Sequence, residues 1–281
     1  MTTWDDPDHP HHPAFGFGDW LRILRRGLIM GVVTFGGLIL LLLVRLIERP
    51  IWGQRRPWTP WITQGVCRLN FVILGMSHKI QGEVMRGAGA VVANHTSWLD
   101  IFALNARKRI YFVSKAEVAG WPGIGWLARS TGTVFIRRDP RQAREHIELF
   151  KERLALGHKL LFFPEGTSTD GQRVLPFKPT LFAAFLDPAL SADLSIQPVT
   201  LIYRAASGED PRQYGWWGDM EFGPHLLSTL AAKRHGSVTV VYHPPVRVSA
   251  FTDRKVLAKT LEDTVRSGFA ADAARPLPTA G

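Results

Sequence analysis

The sequence predicts an α/β fold: a mostly parallel central sheet flanked by helices, behind an N-terminal membrane-associated helical segment. Three observations predict it. From Ile80 onward, short apolar runs alternate with helix-length segments, the pattern of βαβ units. Before that, 17 residues, Leu28–Val44, pass without a charge. Apolar residues make up 46% of the 281-residue chain, enough for a large buried core. The expected organisation is a disordered tail over 1–19, a membrane-anchoring helical segment over 20–79, and an α/β domain over 80–281.

In chain order, residues 1–19 are polar and rich in Pro, Asp and His. The His9–His12 cluster reads as a solvated tail in preference to a metal site. Leu28–Val44 as a helix is roughly 25 Å long, slightly short of a ~30 Å hydrocarbon core. No small-residue cleavage site follows it; Arg45, Glu48 and Arg49 do, which argues against a signal peptide. Arg22, Arg25 and Arg26 precede the run, and Arg45, Arg49, Arg55 and Arg56 follow it. That near-balance sets no orientation, so spanning the bilayer and lying in one leaflet both stay open. Pro50, Pro57 and Pro60 break the next stretch, and Trp61–Leu74 resumes helical spacing.

The α/β part pairs strands with helices: Ala90–Ala93 with Ser97–Ala106, Ile110–Val113 with Ile124–Ser130, Thr133–Ile136 with Arg141–Leu156, and Lys159–Phe163 with Leu181–Leu186. Ile196–Tyr203 and Ser237–Tyr242 are further strands. Asp210–Phe222 reads as a loop carrying Trp216 and Trp217, and Arg254–Arg266 as a charged terminal helix.

The formal charge of +10 implies an anionic partner. Of the ten Trp, Trp20, Trp52, Trp58 and Trp61 sit beside apolar or basic stretches, as membrane-interface anchors do. Nucleic acid is not an expected partner, because no recognition motif accompanies the charge. The single Cys67 excludes an intrachain disulfide and a Cys cluster for zinc. Phosphate-loop, dinucleotide, serine-elbow and zinc-protease motifs are missing, so neither a metal nor a bound cofactor is expected.

Sites in α/β sheets form at the carboxyl ends of strands. Three apolar runs end there in unusual polar sequence: Asn94-His95, Arg137-Arg138, and Pro164–Thr169. His95 and Asp100 would lie about 140° apart on a regular helix and could not meet. With His95 in the turn before the helix, capped by Thr96 or Ser97, the ring bends back over Asp100. A carboxylate on one ring nitrogen leaves the other free as a base. The competing reading makes His95 a structural turn residue bonded to backbone. Either Arg137 or Arg138 faces the crevice as an anion ligand, or both are solvated. The loop amides around Glu165, Gly166, Thr167 and Ser168 suit an anion, with Glu165 ordering the loop. Lys115 and Lys178 are further candidates to meet an acidic group.

The motifs together resemble a family. NHTSWLD at Asn94–Asp100, GTVFIRR at Gly132–Arg138, FPEGT at Phe163–Thr167, and Gln197-Pro198-Val199 are similar, in order, to the four blocks of the glycerolipid acyltransferases. The resemblance implies transfer of an acyl group from acyl-carrier protein or acyl-CoA to a lysolipid hydroxyl. It makes His95 the base, with Asp100 supporting it and no acyl-enzyme. It places acceptor binding in the second and third blocks. It also implies membrane lipids and acyl-carrier protein as partners, at the cytoplasmic face of the inner membrane. One departure matters: Ser168 stands where the family's third block usually continues with Arg. A phosphate acceptor loses a cationic partner there, which favours a lyso-ornithine lipid acceptor or dual specificity with 1-acylglycerol-3-phosphate.

Overall fold

Buried strands need apolar residues on both faces, and the run Gly89–Ala93 supplies them: all five residues are buried at the centre of the sheet. The computed structural model describes residues 4–6, 8, 10, 14–107, 109–137, 141 and 143–273. His9, His11, His12 and Arg138 lie outside the described residues.

The strands are β1 (Ser77–Gln81), β2 (Gly89–Ala93), β3 (Tyr111–Lys115), β4 (Val134–Ile136), β5 (Lys159–Phe162), β6 (Ser195–Arg204), β7 (Ser237–Tyr242) and β8 (Val246–Arg247). The helices are α1 (Phe17–Trp52), α2 (Thr59–Leu74), α3 (Leu99–Asn105), α4 (Ile124–Thr131), α5 (Ala143–Ala155), α6 (Pro188–Ser191), α7 (Phe222–Ala231) and α8 (Arg254–Ala273). The sheet runs β1-β7-β6-β2-β5-β3-β4, with β8 paired to β6. Neighbours from β6 to β4 are parallel, so β2, β5, β3 and β4 all end on one edge. β7 runs antiparallel to β6 and carries β1 parallel to itself.

Side-chain alternation divides the core. Val91 and Ala93 of β2 face α2, α3 and α7, with Phe71, Leu99 and Leu230. Ala90 and Val92 face the other way, toward Phe150, Phe182 and Leu261. Helices therefore cover both faces, as the near-continuous apolar strands require.

The structure differs from the sequence reading in several elements. The N-terminal helix is 36 residues, not 17. It continues through Arg22, Arg26 and Glu48, which find partners off the helix. Arg22 Nε donates to Ala231 O (2.7 Å), and Arg26 Nη1 to Leu230 O (2.9 Å), at the carboxyl end of α7. Glu48, fully buried, accepts from Trp58 N (2.7 Å), Thr59 N (3.0 Å) and Thr59 Oγ1 (2.7 Å). Within 1–19, α1 already starts at Phe17, and Trp217 Nε1 donates to Asp6 O (3.1 Å). Pro179–Leu186 is a 3-10 helix, and α7, β1 and β8 are additional elements.

At about 54 Å, α1 is long enough to cross a bilayer. Its most apolar window is only 11% buried. Leu28, Val32, Phe35, Ile39, Leu43 and Leu46 recur at helical spacing, and each is exposed. An apolar stripe of that length marks a membrane-associated face.

The inner side of α1 meets α2 closely. A Cβ at Gly37 overlaps the Val66 side chain, whereas one at Gly31 meets nothing within 4 Å. Gly37→Val is expected to cost about 1–3 kcal/mol through overpacking, and Gly31→Ala nothing comparable. Thermal unfolding of the two variants in one detergent checks the difference.

Candidate active site

The site begins where β2 ends. Asn94 is held by the neighbouring strand: its Nδ2 donates to Leu201 O (2.9 Å) and its Oδ1 accepts from Leu201 N (2.8 Å). That pair fixes the chain as it leaves the sheet, so His95 emerges at a set angle. His95 N then donates to Glu165 Oε1 (2.8 Å), and His95 O accepts from Thr169 N (3.0 Å). The loop after β5 thus clamps both backbone polar groups of His95.

The turn brings the His95 ring back over the first turn of α3. Nδ1 lies 2.7 Å from Asp100 Oδ2. The imidazole is 21% exposed and the carboxylate wholly buried. Thr96 N (2.7 Å) and Ser97 N (3.1 Å) also donate to Oδ2, and Tyr203 Oη donates to Oδ1 (2.8 Å). Four donors hold this buried carboxylate in one orientation. Placed there it accepts a hydrogen bond from the Nδ1–H tautomer, which leaves Nε2 as an acceptor. Phe163 stacks on the other side of the ring, with centroids 4.0 Å apart and planes at 10°.

The expected cap differs in detail. Ser97 Oγ accepts from Leu99 N at 3.3 Å, but the stronger cap is Asp100 itself, reaching back to the Thr96 and Ser97 amides. The same carboxylate closes the turn and orients the His95 ring.

Glu165 is 1% exposed, and its second oxygen accepts from Leu175 N (2.9 Å). It organises the loop and does not face open space. Burial pushes its carboxyl up to about 8; the amides of Leu175 and His95 oppose this, and the charge of Asp100 adds to it. Burial, with Asp100 beside it, also holds the Tyr203 phenol well above its ordinary range, so Tyr203 remains a donor.

Of the other predicted residues, Gly166 adopts φ 76°, a left-handed conformation suited to glycine, and donates to Phe163 O (3.1 Å). Thr167 follows it in the loop, half-buried. The Ser168 hydroxyl donates to Trp216 O, and Trp216 N donates to Thr96 O (2.9 Å). The 210–222 loop is thereby fastened beside the dyad. Lys178 N donates to Pro164 O (2.9 Å), which sets that residue against the same loop. Lys115 ends β3 and Arg137 follows β4, both exposed. They share the carboxyl edge with His95, but their strands stand about 10 and 14 Å from β2 across the sheet. Arg138 is outside the described residues.

Sequence reasoning missed Tyr203, Phe163 and Asn94 as parts of the site. Asn94 and Phe163 lie inside the quoted motifs, so their position was visible though their roles were not. Tyr203 carries no local signal: it is 103 residues from Asp100 and resembles any strand aromatic.

The fold and the dyad place the chain among α/β enzymes that carry a His–Asp pair at the carboxyl edge of a sheet. A family model described as Acyltransferase matches residues 77–202, from β1 into β6. The lyso-ornithine lipid O-acyltransferase of Rhodobacter capsulatus is 59% identical over 94% of each chain. The enzyme of that name from Brucella abortus is 38% identical over 77% of this chain and 82% of the other. A Neisseria gonorrhoeae 1-acyl-sn-glycerol-3-phosphate acyltransferase is 32% identical over 65% of this chain and 70% of the other. The crystal structure of the Thermotoga maritima 1-acyl-sn-glycerophosphate acyltransferase PlsC shares the fold, with TM-score 0.68 at 23% identity over 92% of this chain and 98% of that one. The chain belongs to the acyltransferase family, and its membership supports acylation of a lysolipid.

Two outcomes test the site. Tyr203→Phe removes one of Asp100's donors and is expected to lower kcat about tenfold, with a stability cost of about 1–2 kcal/mol; steady-state kinetics and melting read the two separately. Glu165 binds its proton more tightly folded than unfolded. Its contribution to stability is therefore full below the ordinary carboxylate pKa of about 4.5 and is lost as pH rises toward about 8. Glu165→Gln is expected to flatten the fall in melting temperature between these limits.

Proposed function

We propose that this enzyme is a lyso-ornithine lipid O-acyltransferase that takes its acyl group from acyl-carrier protein or acyl-CoA. The observation that carries the reading is the 2.7 Å contact between His95 Nδ1 and the buried Asp100. His95 Nε2 removes the proton from the acceptor hydroxyl. The acceptor oxygen attacks the thioester carbonyl carbon, and a tetrahedral intermediate forms. The C–S bond breaks, the thiol leaves with the proton returned by His95, and an ester remains. Asp100 and Tyr203 act through His95 as positioning residues. The acceptor is chosen on two grounds: the relatives at 59% and 38% identity carry that name, and Ser168 presents a neutral hydroxyl that is spent on Trp216 O.

The site works at the cytoplasmic face of the inner membrane, where thioester donors are made. Helix α1 lies along that surface rather than across it. Arg22 and Arg26 tie its first turns to α7, and Glu48 ties its last turns to the start of α2. A helix bonded to the globular body near both ends, with one apolar stripe outward, has the form of an interfacial helix.

One assay offers lyso-ornithine lipid and lysophosphatidic acid side by side, with acyl-carrier-protein donors. The expected result is turnover of the ornithine acceptor at least about tenfold faster, a difference of about 1.4 kcal/mol. Turnover of the phosphate acceptor alone would sink the acceptor assignment. His95→Ala is expected to lose about 10²–10⁴-fold with either acceptor.

A further inference from the structure

The opposite edge of the sheet carries a small cleft with cationic lining, at the elbow between α1 and α2. Arg56 and Arg109 both line it, with Thr59, Thr63, Asn105 and Tyr111. Tyr111 opens β3, so the cleft lies at the amino end of the parallel strands, away from His95.

The cleft is built, not incidental. Arg56 has φ 51°, the one positive φ among the described non-glycine residues, a left-handed conformation that a side chain rarely adopts. It is held there by Nη1 donating to Ser130 O (2.6 Å), while its Nε is buried without a partner. Arg153, 8% exposed, donates Nη2 to Gly132 O (2.6 Å), stacks on Tyr111, and likewise has an unpartnered buried Nε. Burial and the charges of Arg45 and Arg153 bring Arg56 down to about 10. The nearby carboxylates do not neutralise this group. Glu48 is spent on Trp58, Thr59 and Arg45, and Glu152 is exposed on α5. Between Glu48 and Glu83, and again between Asp100 and Glu117, the chain has no acidic residue. These two stretches supply most of the cleft.

The surroundings are apolar and aromatic. Arg109 lies over the Trp61 ring at 4.9 Å, and Trp61 is 58% exposed. Trp58 is exposed against Trp52, and Ile47 and Ile51 continue the outward stripe of α1 to this point. Cations beside exposed Trp at the end of an interfacial helix match the headgroup layer of a bilayer. A docking acidic protein would have no use for the apolar stripe.

We propose that the cleft between Arg56 and Arg109 binds the phosphate of an anionic phospholipid headgroup, and so gives the enzyme a preference for anionic membranes at a site separate from catalysis. This rests on the in-plane placement of α1.

The test uses full-length protein, phosphatidylcholine vesicles, and equimolar phosphatidylcholine–phosphatidylglycerol vesicles. Wild type is expected to bind the anionic vesicles more tightly. Arg109→Gln is expected to weaken that binding about fivefold, the equivalent of about 1 kcal/mol for one cation at an anionic surface. Arg109→Lys restores most of it. Arg254→Gln, on the exposed start of α8, leaves it unchanged. Arg56→Gly, which suits the positive φ, is a second variant with the same expected loss should Arg109→Gln fail to fold. Equal losses in Arg109→Gln and Arg254→Gln overturn the site in favour of diffuse charge. If inorganic phosphate raises the melting temperature of wild type but not of Arg109→Gln, while vesicle binding of the two is equal, the lipid assignment is overturned in favour of a free anion. Loss of acyl-carrier-protein binding with vesicle binding intact overturns it in favour of a protein partner. Wild type that binds both vesicles equally overturns only the headgroup site; wild type that binds neither overturns the placement of α1.

Discussion

The Asp100 carboxylate is the constraint on which the site depends. It is fully buried, and it receives His95 Nδ1, two backbone amides and the Tyr203 hydroxyl. A carboxylate taken out of water is tolerable only when its lone pairs are met. The fold meets them from two directions: the turn after β2 provides the amides and the imidazole to the carboxylate on α3, and β6 brings Tyr203 from far along the chain. Parallel pairing of β2 with β6 is what makes this possible, since β6 runs past the end of β2 on the side where the turn folds back.

The same economy governs the rest of the architecture. Glu165 joins the loop after β5 to the backbone of His95, so the neighbouring strand positions that residue as well. Glu48 does for the membrane-facing hairpin what Asp100 does for the site: one buried carboxylate gathers the amides and hydroxyl that open α2. In both places a single acid closes a turn. The result is a hydrogen-bonded carboxyl edge of the sheet in a chain that also carries a long apolar stripe, an arrangement suited to a substrate that sits half in a bilayer and presents its hydroxyl to water.

Much of this was legible in the chain. The alternation from Ile80 onward showed the strand edges, and the His95–Asp100 spacing made sense once His95 was placed in a turn. What was not legible depended on distant partners. Tyr203 is indistinguishable by pattern from a buried strand aromatic, and only tertiary contact makes it a donor. The full length of α1 was hidden because Arg22, Arg26 and Glu48 look like helix boundaries until their partners in α7 and α2 are seen. Helix α7 was masked by Gly223 and Pro224 in its first turn, positions where a helix tolerates them. The antiparallel β7 was read only as one more strand, because direction follows from connection and not from composition.

The most direct test of the central claim is a double-mutant cycle on turnover with His95→Ala and Asp100→Asn. If Asp100 acts by holding His95, the double variant is expected to be no slower than His95→Ala alone, as for residues that work as one unit. Multiplicative losses, with the double variant slower by the product of the two single effects, would contradict the account and give Asp100 a role independent of the base.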